Sequence, residues 1–143
     1  MKQNFTYHMV GRVLNQQIER EPQNIQLYQN LAMLYQKLEK YNEAIDAYEK
    51  ILHLDENQPV ALNNLAWLLV TVPDASRHDK VRALALAKKA VALKRSPMFL
   101  DTLAEAYWAN GSADEAINTI KEAISLAAEG KAYYEKQLEK FSR

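Results

Sequence analysis

Apolar residues recur at i, i+3, i+4 and i+7 along most of the chain, and no segment alternates with period two. That spacing predicts helices throughout and no strands, so the expected fold class is all-α. Glycine and proline are scarce, at three and four residues, and they act as punctuation. Pro73 is expected to stop one helix, Asp79 to cap the next, and Ser96-Pro97 to supply the cap and first residue of a third. The stretch NNLAWLLV, Asn63 to Val70, is unusual in having two apolar faces. Leu65, Ala66, Leu68 and Leu69 fall on one side, and Trp67 and Val70 fall on the other beside Asn63 and Asn64.

The chain also matches itself at a spacing of about 34 residues. Leu31-Ala32, Leu65-Ala66 and Leu103-Ala104 coincide, each followed four residues after the leucine by Tyr35, Leu69 or Tyr107. In the second half of each unit Ala44-Ile45, Ala83-Leu84 and Ala116-Ile117 coincide, with Ile51, Ala90 and Ala123 seven residues after the alanine. Alanines at such positions let two helices lie close, because a larger side chain would hold them apart.

These large-small pairs resemble the tetratricopeptide repeat (TPR) family, in the style of bacterial TPR proteins or TPR segments of larger ones. The resemblance implies a right-handed α-α superhelix, a TPR solenoid, of three helix-turn-helix repeats with flanking caps in a single domain over residues 1–143. The repeats span residues 25–58, 59–96 and 97–130. A lone B-like helix over 5–22 precedes them, and a capping helix over 131–143 follows, with Tyr134, Leu138 and Phe141 as its apolar stripe. Two departures stand out. The turn glycine appears only as Gly111, its place in the first repeat being taken by Glu39, which implies strain or a different turn; and the second repeat carries an insertion at 72–80 between its helices.

The resemblance further implies a concave groove lined by the first helix of each repeat. Carried over position by position, the first repeat contributes Gln26, Gln29, Asn30 and Met33, with Gln36 and Lys37 further along. The second contributes Val60, Asn63, Asn64 and Trp67, then Val70 and Thr71, and the third Met98, Asp101, Thr102, Glu105 and Trp108, then Ala109. Amides there suit the backbone of a peptide, and tryptophan suits a contact hot spot. Members of the family that clamp the C-terminal carboxylate of a heat-shock chaperone need basic residues at defined groove positions. Here those positions hold Gln29, Met33, Asn64, Met98 and Thr102, of which only the asparagine fits. The expected ligand is therefore a neutral to apolar peptide or protein.

Composition narrows the chemistry. The 143 residues carry 18 basic and 18 acidic side chains for a formal net charge of zero, which provides no general attraction to nucleic acid. The uneven part is a basic second helix in repeat two, from Arg77 to Arg95, against a predominantly acidic stretch from Glu39 to Glu56. Complementarity within the molecule is the simpler reading of that contrast, and an RNA or acidic-protein patch the other. Cysteine is absent, and His8, His53 and His78 lack ligand-like neighbours at helical spacing, so neither a metal nor another cofactor is expected and the histidines read as solvated surface. No phosphate-binding loop or nucleophile motif is present. No run approaches the roughly 18 apolar residues of a membrane span. The N-terminus lacks the apolar core of a signal peptide, so the chain is expected to be soluble, and cytoplasmic if complete as given.

These readings converge on a non-enzymatic interaction module. The alternatives are a homo-oligomeric scaffold or the regulatory arm of a larger enzyme.

Overall fold

The computed structural model describes residues 2–143, so Met1, the first residue of the expected domain, lies outside the described residues. Eight α-helices follow in order: α1 (Lys2–Arg20), α2 (Ile25–Lys37), α3 (Tyr41–Leu54), α4 (Pro59–Thr71), α5 (Lys80–Leu93), α6 (Pro97–Ala109), α7 (Ala113–Leu126) and α8 (Lys131–Phe141). No strand occurs among the described residues, and none of their helices is long and apolar enough to cross a membrane. The chain forms two compact units, Met1–Ala61 and Leu62–Arg143, with the boundary inside α4.

In the first unit α1 packs on α2 through Leu14, Leu27, Leu31 and Leu34, with Tyr7, Ile18, Tyr35 and Leu38 around them. The helix expected over 5–22 starts earlier and ends at Arg20, because Pro22 disfavours helical geometry at the residue before it. Asn24 then caps α2, its side chain accepting from the Gln26 N–H at 3.2 Å. Helices α2 and α3 form a close hairpin. Ala32 and Ala44 are fully buried there, and the Tyr48 hydroxyl, also enclosed, donates to Gln36 Oε1.

The second unit repeats this plan. Ala66 on α4, Ala83, Ala87 and Ala90 on α5, Ala104 and Ala106 on α6, and Ala116 and Ala123 on α7 are all at 0% exposure. Pro73 follows the end of α4, and the inserted segment folds into a short 3-10 turn, Ala75–Arg77, capped by Asp74. Hydrogen bonds from Ser76 hold the Asp74 carboxyl below the usual carboxylate range. Two further bonds close the segment: the Asp79 N–H donates to the Leu69 carbonyl of α4 at 3.0 Å, and His78 Nε2 lies 2.7 Å from the Val72 carbonyl just past the end of that helix. His78 is thus a solvent-facing loop staple as well as a surface residue. Asp79 caps α5 at 3.1 Å from the Arg82 N–H, and Ser96 caps α6 ahead of Pro97.

The first hairpin's turn resolves the missing glycine. Lys40 N–H reaches the Tyr35 carbonyl at 2.8 Å and Glu39 N–H the Gln36 carbonyl at 3.1 Å. The turn after α6 closes identically, Ser112 to Tyr107 at 2.9 Å and Gly111 to Trp108 at 3.0 Å. Both are left-handed helix terminations, so Glu39 is held at φ 57° where the later repeat has Gly111 at φ 78°. Of the two outcomes anticipated at Glu39, strain or a different turn, the structure shows the same turn with a left-handed glutamate.

Two stability changes follow. Glu39→Gly is expected to raise stability by about 0.5–1 kcal/mol, the left-handed penalty relieved less the glycine's extra chain entropy, read from urea midpoints. Ala32→Leu or Ala104→Leu overpacks a hairpin and is expected to cost about 1–3 kcal/mol by the same measurement.

Candidate partner-binding site

On α2 of the first unit, Gln26 and Met33 are exposed, Gln29 is half-buried, and Gln26 Nε2 donates to Asn30 Oδ1 at 2.9 Å across one helical turn. Gln36 is engaged by Tyr48 within that unit. Val60, at the start of α4, is half-buried. A cavity of about 530 Å³ opens between α1 and α2, lined by Tyr7, Arg12, Glu19, Leu34, Tyr35 and neighbours, and it includes none of the expected groove residues.

The second unit brings six of the expected residues together around one open pocket of about 370 Å³. Asn63, Asn64 and Trp67 form the α4 wall, and Met98, Asp101 and Thr102 the α6 wall. The register of α4 explains its wall. Leu65, Ala66, Leu68 and Leu69 are buried, which leaves Asn64 and Trp67 partly open on the other side. Asn63 is 3% exposed; its Nδ2 donates to Asn64 Oδ1 at 3.1 Å, while its own Oδ1 is buried with no hydrogen-bond partner. An unmet acceptor of this kind is rare in folded proteins and calls for an explanation.

The pocket's third side is one that the repeat pattern did not indicate. Tyr133 and Tyr134 of α8 complete the lining, and two more α8 residues reach into the α6 carboxylates. Gln137 Nε2 donates to Asp101 Oδ1 at 2.9 Å and to Glu105 Oε2 at 3.2 Å. Lys140 Nζ sits 2.7 Å from both Glu105 oxygens and 5.0 Å from the Trp108 ring centroid, and Trp108 stacks obliquely on Phe141 at 5.9 Å. Glu105 and Trp108 are thereby engaged by the terminal helix, although the Trp108 side chain remains 44% exposed. The signal for this was present in the spacing: Tyr133, Gln137 and Lys140 form an i, i+4, i+7 polar stripe beside the apolar stripe of Tyr134, Leu138 and Phe141.

Burial pushes the Asp101 carboxyl above the usual range, and the Gln137 and Tyr133 hydrogen bonds only partly offset this. The same burial, together with the Asp101 charge, raises the phenols of Tyr133 and Tyr134. Elsewhere in the unit the basic stretch through α5 and the loop after it finds local partners. Arg95 forms a fork to Glu122 of α7 at 2.6 Å through both nitrogens, which lowers the Glu122 carboxyl, and Lys88 and Lys94 lie over the Tyr107 and Phe99 rings.

Because the folded Asp101 titrates above its unfolded value, it stabilises the fold fully only below the unfolded pKa, and that contribution is lost as pH rises through the folded one. Asp101→Asn is therefore expected to melt no lower than the parent at neutral pH. The parent should gain on the variant as pH falls into the carboxylate range, which paired thermal melts across pH would read.

Residues 25–58 and 99–129 each match a model of the tetratricopeptide repeat. Among solved structures, MamA from Desulfovibrio magneticus RS-1, from its position 41 to the end, is similar with a TM-score of 0.84 and 18% identity, over 98% of this chain and 76% of that one. The first TPR domain of Spaghetti (RPAP3), bound to the HSP90 peptide SRMEEVD, gives 0.71 and 26%, over 84% of this chain and 91% of that one. A thermophilic TPR protein of Thermus thermophilus gives 0.72 and 18%, over 96% and 77% respectively. No curated protein matches in sequence.

Proposed function

Since the chain is a tetratricopeptide repeat protein, of a family whose members are generally non-enzymatic interaction modules, we propose that it binds a peptide or protein segment on the groove side of α4 and α6. The observation that carries this reading is the open pocket where Asn63, Asn64 and Trp67 meet Met98, Asp101 and Thr102. Its walls combine large apolar contact with amides able to pair with a peptide backbone. A related fold, the Spaghetti domain, is known with an HSP90 peptide bound, which supports peptide recognition as a use of this architecture. The acidic tail of that peptide is a poor match for the buried carboxylate at Asp101 here. A segment neutral to apolar along most of its length fits better. The α2 face, with Gln26, Gln29, Asn30 and Met33, offers a second amide-bearing stretch for the same kind of partner.

One further observation favours self-association as a second reading. Phe5, Met9, Val10 and Val13 of α1 are 69%, 49%, 43% and 49% exposed, an apolar strip on the outer side of that helix. Light scattering over a concentration series tests it, and a monomer at every concentration ends that reading.

For the groove, Asn64→Ala and Trp67→Ala are each expected to weaken a crosslink-captured partner by about tenfold, with helical content and melting temperature nearly unchanged. Loss of several kcal/mol of stability in Trp67→Ala would instead mark a core residue and remove the assignment.

A further inference from the structure

Two buried carboxylates stand at the α6 side of the pocket, and only one of them has a cation of its own. Lys140 is committed to Glu105, contacting both oxygens at 2.7 Å. Asp101, 5% exposed, receives its hydrogen bonds from uncharged groups, Gln137 and the Tyr133 hydroxyl, and Lys140 is the weakest influence on it. When Asp101 is ionised, the pocket therefore carries a negative charge that its own side chains solvate but do not neutralise. Burying such a group costs stability unless something of opposite charge joins it.

The other lining residues point the same way. Asn63 Oδ1, on the opposite wall of the same pocket, is a buried acceptor that no donor among the described residues meets. Trp67, Tyr133 and Tyr134 place three aromatic rings around the same space. Acceptors plus π-faces, with no basic residue lining the cavity, select a group that brings several N–H donors and a positive charge on an apolar stem. A carboxylate or phosphate would meet Asp101 as a like charge, and a purely aliphatic side chain would leave Asn63 Oδ1 unpaired.

We propose that this pocket receives the basic side chain, lysine or arginine, of the partner segment. The proposal rests on the reading that the unit binds a peptide, and it specifies the one residue that the peptide must bring. The stem of that side chain lies against the three rings, and its cationic head donates to Asp101 and Asn63. In this role the unmet acceptor and the uncompensated carboxylate have a common explanation.

The test is an NMR titration of the labelled protein with the blocked pentapeptide acetyl-Ala-Ala-Lys-Ala-Ala-amide and its arginine, norleucine and glutamate counterparts. The lysine or arginine peptide is expected to shift the Trp67 indole and Asn63 amide signals and to bind at least about tenfold more tightly than the norleucine peptide. That preference should shrink in high salt and vanish in Asp101→Asn, whose fold is checked by its melt. Equal or tighter binding of the norleucine or glutamate peptide overturns the basic-side-chain assignment and leaves peptide binding at this site standing. If none of the four perturbs α4 or α6, both the assignment and the site reading fall.

Discussion

Close approach of helix to helix is the constraint on which everything else depends. At each hairpin the matching repeat positions hold alanines with no exposed surface, Ala32 and Ala44 in the first, Ala66, Ala83 and Ala87 in the second, Ala104 and Ala116 in the third. A methyl group is all that fits between backbones held this near, and it packs at full density only if the leucine, isoleucine and tyrosine partners interlock on either side. One consequence is rotational. Once α4 turns Leu65, Ala66, Leu68 and Leu69 inward, Asn64 and Trp67 have nowhere to go but the opposite face. The surface proposed to face a partner is set by the surface that faces the core.

Much of this can be read from the chain because it depends on local, periodic choices. Helical spacing, the alanine positions, the caps at Asp79 and Ser96 and the stop before Pro73 act over a few residues, and the repeat amplifies each by showing it again in a new context. The turn at Glu39 shows the limit of that logic in an instructive way. The chain keeps the same left-handed closure as at Gly111, accepting a strained glutamate because the hydrogen bonds and the following helix over-determine the backbone.

What could not be read was the part that depends on one helix meeting another of a different kind. Asp101 and Glu105 are expected from sequence as groove positions, but their partners Gln137 and Lys140 lie more than thirty residues away, at positions of α8 that the groove pattern does not include. The 34-residue pattern places α8 one repeat after α6, but it does not say which of its polar side chains reach the α6 carboxylates. Likewise the basic run through α5 looks like an open charged face until Arg95, in the loop after it, is seen with Glu122 of α7, a pairing that spacing alone does not reveal.

The fastening of α8 has a thermodynamic corollary. Its polar side holds α6 through Gln137 and Lys140, and its two tyrosines complete the pocket wall, so the site exists in full only while the last eleven-residue helix is docked. Filling of the proposed site and docking of α8 are therefore linked equilibria: whatever fills the site holds α8 in place, and the ease with which α8 undocks sets how much of any contact energy survives as affinity.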